Sequence, residues 1–270
     1  KINNQVVSWD KALDKVANGF SEIIKQHGPD AVAFYVSGQL LTEDYYVANK
    51  LMKGYIGSGN IDTNSRLCMS SSVVGHKRAF GTDTVPGCYD DFEQAELITL
   101  VGSNTAWCHP VLFQRIKKYK EANPNVKVVV IDPRRTQTCD IADLHLPLNL
   151  GTDTWLFNGL LNSINQQNKI NSDYVQQHCD GLDEAINIAQ QSAGDIKALA
   201  NTLSVNEDDL KQFYNWFCNT EKSVTLYSQG VNQSSSGTDK VNSILNCHLA
   251  TGRIGKPGMG PFSMTGQPNA

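Results

Sequence analysis

Cys68 has the clearest chemical capacity in the chain. It stands in Asn64-Ser65-Arg66-Leu67-Cys68-Met69-Ser70, just ahead of a segment with helical spacing. Helix-end N–H groups and the Arg66 charge favour a thiolate there, and a thiolate is a soft ligand for a redox metal. The other cysteines, at 88, 108, 139, 179, 218 and 247, are dispersed with no C-x-x-C pair, and the six histidines are equally scattered. Neither a disulfide framework nor a local zinc or iron–sulfur cradle is encoded. The compartment therefore reads as reducing, and metal chemistry here would rest on a single protein ligand.

A second kind of chemistry is carried by five short stretches: Ser37-Gly38-Gln39, Gly102-Ser103-Asn104, Asp132-Pro133-Arg134-Arg135-Thr136, Gly151-Thr152-Asp153 and Gln229-Gly230-Val231-Asn232-Gln233. Each joins Gly or Pro to side chains that donate or accept hydrogen bonds. Small residues let backbone N–H groups approach phosphate, and a carboxylate can take ribose hydroxyls or the N1/N2 donor edge of guanine. The set reads as a nucleotide site, yet the familiar labels do not fit. No strand is followed by G-x-G-x-x-G, no G-x-S-x-G elbow occurs, and the stretch from Gly252 places Pro257 where a phosphate-binding loop needs a hydroxyl.

The elements that must position these loops alternate along the chain. Apolar residues at helical spacing predict helices over 8–27, 42–55, 70–80, 110–121, 152–164 and 238–250, and a mostly helical stretch over 172–217 with a capping box at Ser204 and Glu207. Short apolar runs predict strands over 31–36, 96–101, 126–131, 144–148 and 224–227, each ending at one of the five loops. No element is expected in the Gly/Pro-rich stretch 252–270. Strand–helix alternation specifies a three-layer αβα, Rossmann-like, mostly parallel sheet, with part of a second α/β domain. In such sheets ligands bind outside the carboxyl ends of the strands, where all five loops lie.

Composition narrows the function further. The 270 residues carry 23 basic and 27 acidic side chains, a net charge of −4. With no basic stripe there is no source of capture for nucleic acid or anionic lipid, and the longest apolar runs fall far short of the roughly 20 residues that span a bilayer. The chain reads as soluble and cytoplasmic, with neither nucleic acid nor membrane as a partner.

Five segments in order resemble the molybdopterin oxidoreductase superfamily of the dimethyl sulfoxide reductase type: NSRLCMS at 64–70, ELITLVGSNTAWCHP at 96–110, VVVIDPRRT at 128–136, DIADLHLPLNLGTD at 140–153 and ATGRIGKPGMGPFSMTGQPNA at 250–270. Within it the likeness is greatest to catalytic subunits that reduce nitrate in bacterial assimilation. The resemblance implies a molybdenum bound by two molybdopterin guanine dinucleotides and one protein thiolate, for which Cys68 matches the ligand position. It implies that Gln39, Asn64, Gly102, Ser103, Asn104, Asp132, Arg134, Thr136, Gly151, Thr152, Asp153, Gln229, Gln233 and Gln267 line the cofactors. It also implies nitrate as substrate, reduced to nitrite by oxygen-atom transfer, and an electron donor protein or reductase subunit as partner. Formate dehydrogenases of this type place His after the metal-ligating residue and Arg ahead of G-Q-x-N; Met69 and Thr265 stand there and favour nitrate. A formate dehydrogenase relative, and a nucleotide-binding module without catalysis, are the alternatives.

Enzymes of this type open with a [4Fe-4S] domain on C-x-x-C-x-x-x-C and continue well past G-Q-P-N-A. Neither part is in these residues, so the chain reads as a central excerpt: 1–63 from a partial α/β domain, 64–265 as the cofactor-binding domain, and 266–270 as the start of a return to the first. Such an excerpt is expected to bind no molybdenum cofactor and reduce no nitrate by itself.

Overall fold

The computed structural model describes residues 1–264, without the side chains of Ser65 and Arg66. It divides into one unit over Lys1–Cys68 and another that begins at Met69. In the first, α1 (Trp9–His27) starts where Ser8 Oγ accepts the Lys11 N–H and stops at Gly28, whose φ of 83° a helix cannot continue. The strand that follows is shorter than its apolar run: Pro29–Ala31 closes a tight turn, leaving β1 as Phe34–Val36. Helix α2 (Thr42–Asn49) widens into π turns over Lys50–Ile56 before Gly57 ends it at φ 84°. Then β2 (Ile61–Thr63) pairs parallel with β1, Phe34 facing Ile61. The sequence hid β2, because three half-exposed residues are too few to show alternation. A single turn, α3 (Ser65–Cys68), closes the unit.

The second unit is built on a five-stranded sheet. After α4 (Ser70–Phe80) come β3 (Leu97–Val101), α5 (Thr105–Cys108), α6 (Pro110–Ala122), β4 (Lys127–Ile131), β5 (Leu144–Leu146) and α7 (Asp153–Gln166). A helical run follows, α8 (Ser172–His178), α9 (Leu182–Ala193), α10 (Ile196–Leu203) and α11 (Glu207–Asn219), and then β6 (Ser223–Tyr227), α12 (Gln229–Asn232), α13 (Gly237–Ala250) and β7 (Gly260–Ser263). The strand order is β5-β4-β3-β6-β7, and every pair is parallel. The chain winds outward from β3 to β5, then returns to the other side of β3 for β6 and β7. The winding therefore reverses between β3 and β6, and a crevice opens beyond their carboxyl ends.

Side chains alternate across the strands into two cores. Leu97, Val101, Val129, Ile131 and Tyr227 pack with Leu156, Leu160, Phe213, Phe217 and Ile244 of α7, α11 and α13. On the opposite face Ile98, Leu100, Val128, Val130 and Leu226 pack with Leu112, Phe113 and Ile116 of α6. Helices thus cover both faces, and the layered α/β architecture expected from the sequence is the one observed. Among the described residues no helix is long and apolar enough to cross a membrane.

Two expectations are corrected. Residues 260–263 form β7, paired with β6 from Val224↔Gly260 to Tyr227↔Ser263. Gly260 and Pro261 masked it; proline is tolerated because β7 is an edge strand. The capping box at Ser204 and Glu207 does not form. Ser204 instead ends α10 in the left-handed region at φ 59°, and Asn206 Oδ1 caps α11 by accepting the N–H groups of Asp208 (2.8 Å) and Asp209 (3.2 Å).

One buried group gives this core an acid sensitivity. His248 is fully enclosed, Nε2 lying 2.8 Å from Thr225 Oγ1 with the ring edge-on to Phe217. Burial, reinforced by the Arg253 charge, holds its pKa well below the 6.5 of an ordinary imidazole. Below that value the unfolded chain takes up a proton that the folded chain refuses, so stability is full above it and drains away as pH falls. Urea titrations are expected to show the unfolding free energy dropping below pH 6.5 by about 1.4 kcal/mol per pH unit for this group, with a shallower slope in His248→Gln. Equal slopes in the two proteins would contradict this.

Candidate functional site

A cavity of about 350 Å³ occupies the crevice at the carboxyl ends of β3, β4 and β6. It is lined by Gly102, Ser103, Asn104, Asp132, Arg134, Gly151, Asp153 and Gln229, eight of the residues singled out in the sequence. Four of the five loops meet there, since all leave the sheet at the same end.

The floor is made by two glycines. Gly102, at φ 52°, gives its N–H to Ile131 O, and its own carbonyl accepts the Gly230 N–H at 3.0 Å. A Cβ on Gly102 would sit 2.9 Å from Gly230 Cα, and one on Gly230 would sit 2.7 Å from Gly102 Cα. The loops after β3 and β6 therefore cross backbone on backbone, which only glycine allows. Beside them Ser228 Oγ donates to Ser103 Oγ (2.9 Å), itself 2.9 Å from Thr105 Oγ1, while Thr138 Oγ1 donates to Asn104 Oδ1 (3.2 Å).

The wall carries two carboxylates. Asp132 Oδ1 accepts the Arg134 N–H at 2.8 Å, which fixes the turn after β4 and leaves the Arg134 side chain largely exposed. Asp153 opens α7 and pairs with the buried Lys240 of α13 at 2.7 Å. His109 lines the same space, and burial lowers its pKa, which favours the neutral ring. Carboxylates beside glycine-rich turns and backbone N–H groups are the donor and acceptor set that ribose, phosphate and a base edge require, so the residues present fit a nucleotide portion of a cofactor.

Other expected residues stand outside this lining. Thr152 Oγ1 donates to Asn149 O (2.7 Å), and Thr136 Oγ1 caps the turn over Gln137–Ile141 by accepting the Thr138 N–H. Gln233 ends α12, its N–H on Gln229 O. In the unit over Lys1–Cys68, the ends of β1 and β2 converge: Asn64 Oδ1 accepts the Gly38 N–H at 2.6 Å, and the Gln39 N–H donates to Ser37 Oγ. One turn on, the Cys68 N–H donates to Asn64 O at 3.0 Å, and the cysteine is partly buried. Gln267 and Thr265 lie outside the described residues. None of the seven cysteines forms a disulfide, and among the described residues no group of three or more His, Cys, Asp or Glu is placed to hold a metal.

The sequence reading missed Lys240 and His109. For Lys240 a signal existed: Lys240, Ile244 and Cys247 share one face of α13 at i, i+4 and i+7, and a lysine on an apolar face has to find a buried partner. It missed, too, how Met69 is held. Its thioether accepts from Gln229 Nε2 (3.2 Å) and Asn232 Nδ2 (3.6 Å), and Asn232 Oδ1 accepts the Ser72 N–H (2.8 Å), tying the start of α4 to the loop after β6.

The chain is similar to known proteins in sequence and in fold. The sequence matches the molybdopterin oxidoreductase family over residues 3–270. It is 53% identical over its whole length to a nitrate reductase of Klebsiella oxytoca and 54% identical over 98% of its length to one of Shewanella frigidimarina, spanning 30% and 28% of those proteins. A periplasmic nitrate reductase of Desulfovibrio desulfuricans is 39% identical over 98% of the chain. Among solved structures, acetylene hydratase from Pelobacter acetylenicus shares the fold, with a TM-score of 0.66, 22% identity, and coverage of 91% of this chain and 32% of that one. A match that runs from residue 3 to residue 270 shows that the chain belongs to the molybdopterin oxidoreductase family.

Proposed function

We propose that this chain is the central cofactor-binding portion of a nitrate reductase catalytic subunit, reducing nitrate to nitrite with molybdenum bis(molybdopterin guanine dinucleotide). The observation that carries the reading is the cavity at the reversal of the sheet, lined by eight residues chosen from sequence. The similarity to nitrate reductases along the whole chain supports the substrate. When bound, the group would supply a metal able to accept an oxygen atom from nitrate and to be re-reduced.

The chain's own residues would hold and orient it. Cys68 gives the protein thiolate. Gly102 and Gly230 let the cofactor's pyrophosphate reach backbone N–H groups, Asp132 takes ribose hydroxyls, and Asp153 takes the base. Met69 supports nitrate over formate: a thioether already accepting amide N–H groups cannot act as the proton acceptor that formate oxidation needs. Electrons would come from a donor protein by way of a [4Fe-4S] cluster held outside these residues.

The test is made on the holoenzyme that contains this chain. Elemental analysis is expected to give one molybdenum per chain, and a reduced viologen dye is expected to drive nitrite formation from nitrate, with no oxidation of formate. The 270 residues alone are expected to form no nitrite. Formate oxidation without nitrate reduction would overturn the reading.

A further inference from the structure

Met69 stands at the N-cap of α4 and makes no side-chain cap, so the backbone N–H groups of the first turn need an acceptor from elsewhere. It comes from far along the sequence. Asn232 Oδ1, at the end of α12, accepts the N–H of Ser72, the third residue of α4, at 2.8 Å. Both residues are only 2% exposed. An asparagine of the loop after β6 therefore caps α4 from outside.

That bond gives direction to the polar groups beyond it. A backbone N–H can only donate, so Asn232 must turn Oδ1 to Ser72 and Nδ2 the other way, where Nδ2 donates to Gln229 Oε1 at 2.8 Å. With its carbonyl so engaged, Gln229 turns Nε2 to Met69 and donates to the thioether at 3.2 Å, beside Asn232 Nδ2 at 3.6 Å. Reversing either amide would set two acceptors or two donors face to face. A leucine at 232, of similar size, would fill the same space and leave both the helix start and the Gln229 amide undirected, so packing alone does not call for asparagine. Met69 shares a peptide bond with Cys68. Whatever fixes Met69 and the first turn of α4 fixes one end of that cysteine, and a group that orients a metal-ligating residue is worth about 10- to 100-fold in affinity or activity.

Resting on Cys68 as the metal's thiolate, we propose that Asn232 is a positioning residue for the metal-ligating turn: it caps α4 and directs the Gln229 amide, so that N–H groups and not a carbonyl meet Met69. It acts through Gln229, Met69 and the helix rather than on the reacting atoms.

Asn232→Asp in the holoenzyme separates this role from a plain cap. Aspartate keeps the acceptor for Ser72 N–H and is favoured at a helix N-terminus, so a residue that served only as a cap would be replaced without loss. An ionised carboxylate has no N–H for Gln229 Oε1, and the Gln229 amide is expected to turn round and set its carbonyl against the thioether. At about pH 8.5, well above an ordinary carboxylate pKa, Asn232→Asp is expected to reduce nitrate about 10- to 100-fold more slowly per bound molybdenum, with a Mo(V) EPR signal shifted from the parent's. Asn232→Leu, which loses the cap as well, is expected to match that rate loss and to unfold at lower urea than Asn232→Asp. Neutron diffraction from the parent holoenzyme needs no variant and is expected to place the Gln229 amide deuterons against Met69. A carbonyl in that place, or an aspartate variant with the parent's rate and EPR signal, overturns the inference and leaves Cys68 on the metal. A parent holoenzyme without molybdenum overturns the Cys68 reading and this inference with it, an outcome that metal content distinguishes from the other two.

Discussion

Replacing Cys68 with alanine is expected to abolish nitrate reduction in the holoenzyme, by more than the roughly 100-fold that loss of an outer-shell partner costs a metal site. On the proposed reading the substitution would remove the soft sulfur donor that this chain gives to the metal, and alanine has no donor atom to replace it. The fold is expected to tolerate it. Cys68 is partly buried at the end of a single helical turn and outside both cores of the sheet, and the turn is held by its backbone N–H on Asn64 O, which alanine keeps. Stability should therefore stay within about 0.5 kcal/mol. Serine supplies a harder oxygen donor and is expected to restore only a fraction of the rate. Turnover with viologen as donor, alongside urea unfolding, separates the two effects; an alanine variant within tenfold of the parent would remove Cys68 from the metal.

Gly230→Ala carries the largest expected structural effect. The added methyl would stand 2.7 Å from Gly102 Cα and 2.8 Å from Gly102 O, and both contacts are backbone, with no flexible side chain to yield. The loops after β3 and β6 must separate, breaking the 3.0 Å bond between Gly230 N–H and Gly102 O. Overpacking of this kind costs about 1–3 kcal/mol, and a backbone-on-backbone clash belongs at the upper end. Because these loops form the cavity floor, GDP affinity is expected to fall with stability. Gly151→Ala is the control: at φ 85° with nothing within 4 Å of the added carbon, it meets conformational strain alone, about 1–2 kcal/mol. Urea midpoints for the two variants in the same buffer decide the matter, and a Gly230→Ala protein as stable as Gly151→Ala would show that the crossing is not tight.

Much of this was readable from residue order because local chemistry and topology agree. β3, β4 and β6 are apolar runs closed by Gly or Asp, and a parallel sheet sends all such ends to one side, so loops far apart in sequence had to meet. What could not be read depends on distance or on weak local signals. Lys240 and Asp153 are brought together only when α13 packs on α7: the apolar face of α13 says that Lys240 needs a buried partner, and nothing near either residue says that the partner is the other. β7 carries Gly and Pro and exists through pairing with β6. Ser204 and Glu207 have cap spacing, but Asn206 sits next to the first turn of α11 and outcompetes Ser204, which the chain reversal places in the left-handed region. Thr152 belongs to a loop correctly located, yet its hydroxyl is spent on Asn149 O, a choice that side-chain type alone does not fix.

Molybdenum-edge X-ray absorption of the holoenzyme, compared between the parent and Cys68→Ala, tests most directly that this chain supplies one thiolate to a cofactor-borne metal. The parent is expected to show a sulfur shell with one scatterer more than the cofactor's dithiolenes provide, and the alanine variant to lose that one sulfur while keeping the rest. An unchanged sulfur shell in the variant, with molybdenum still bound, would contradict the account.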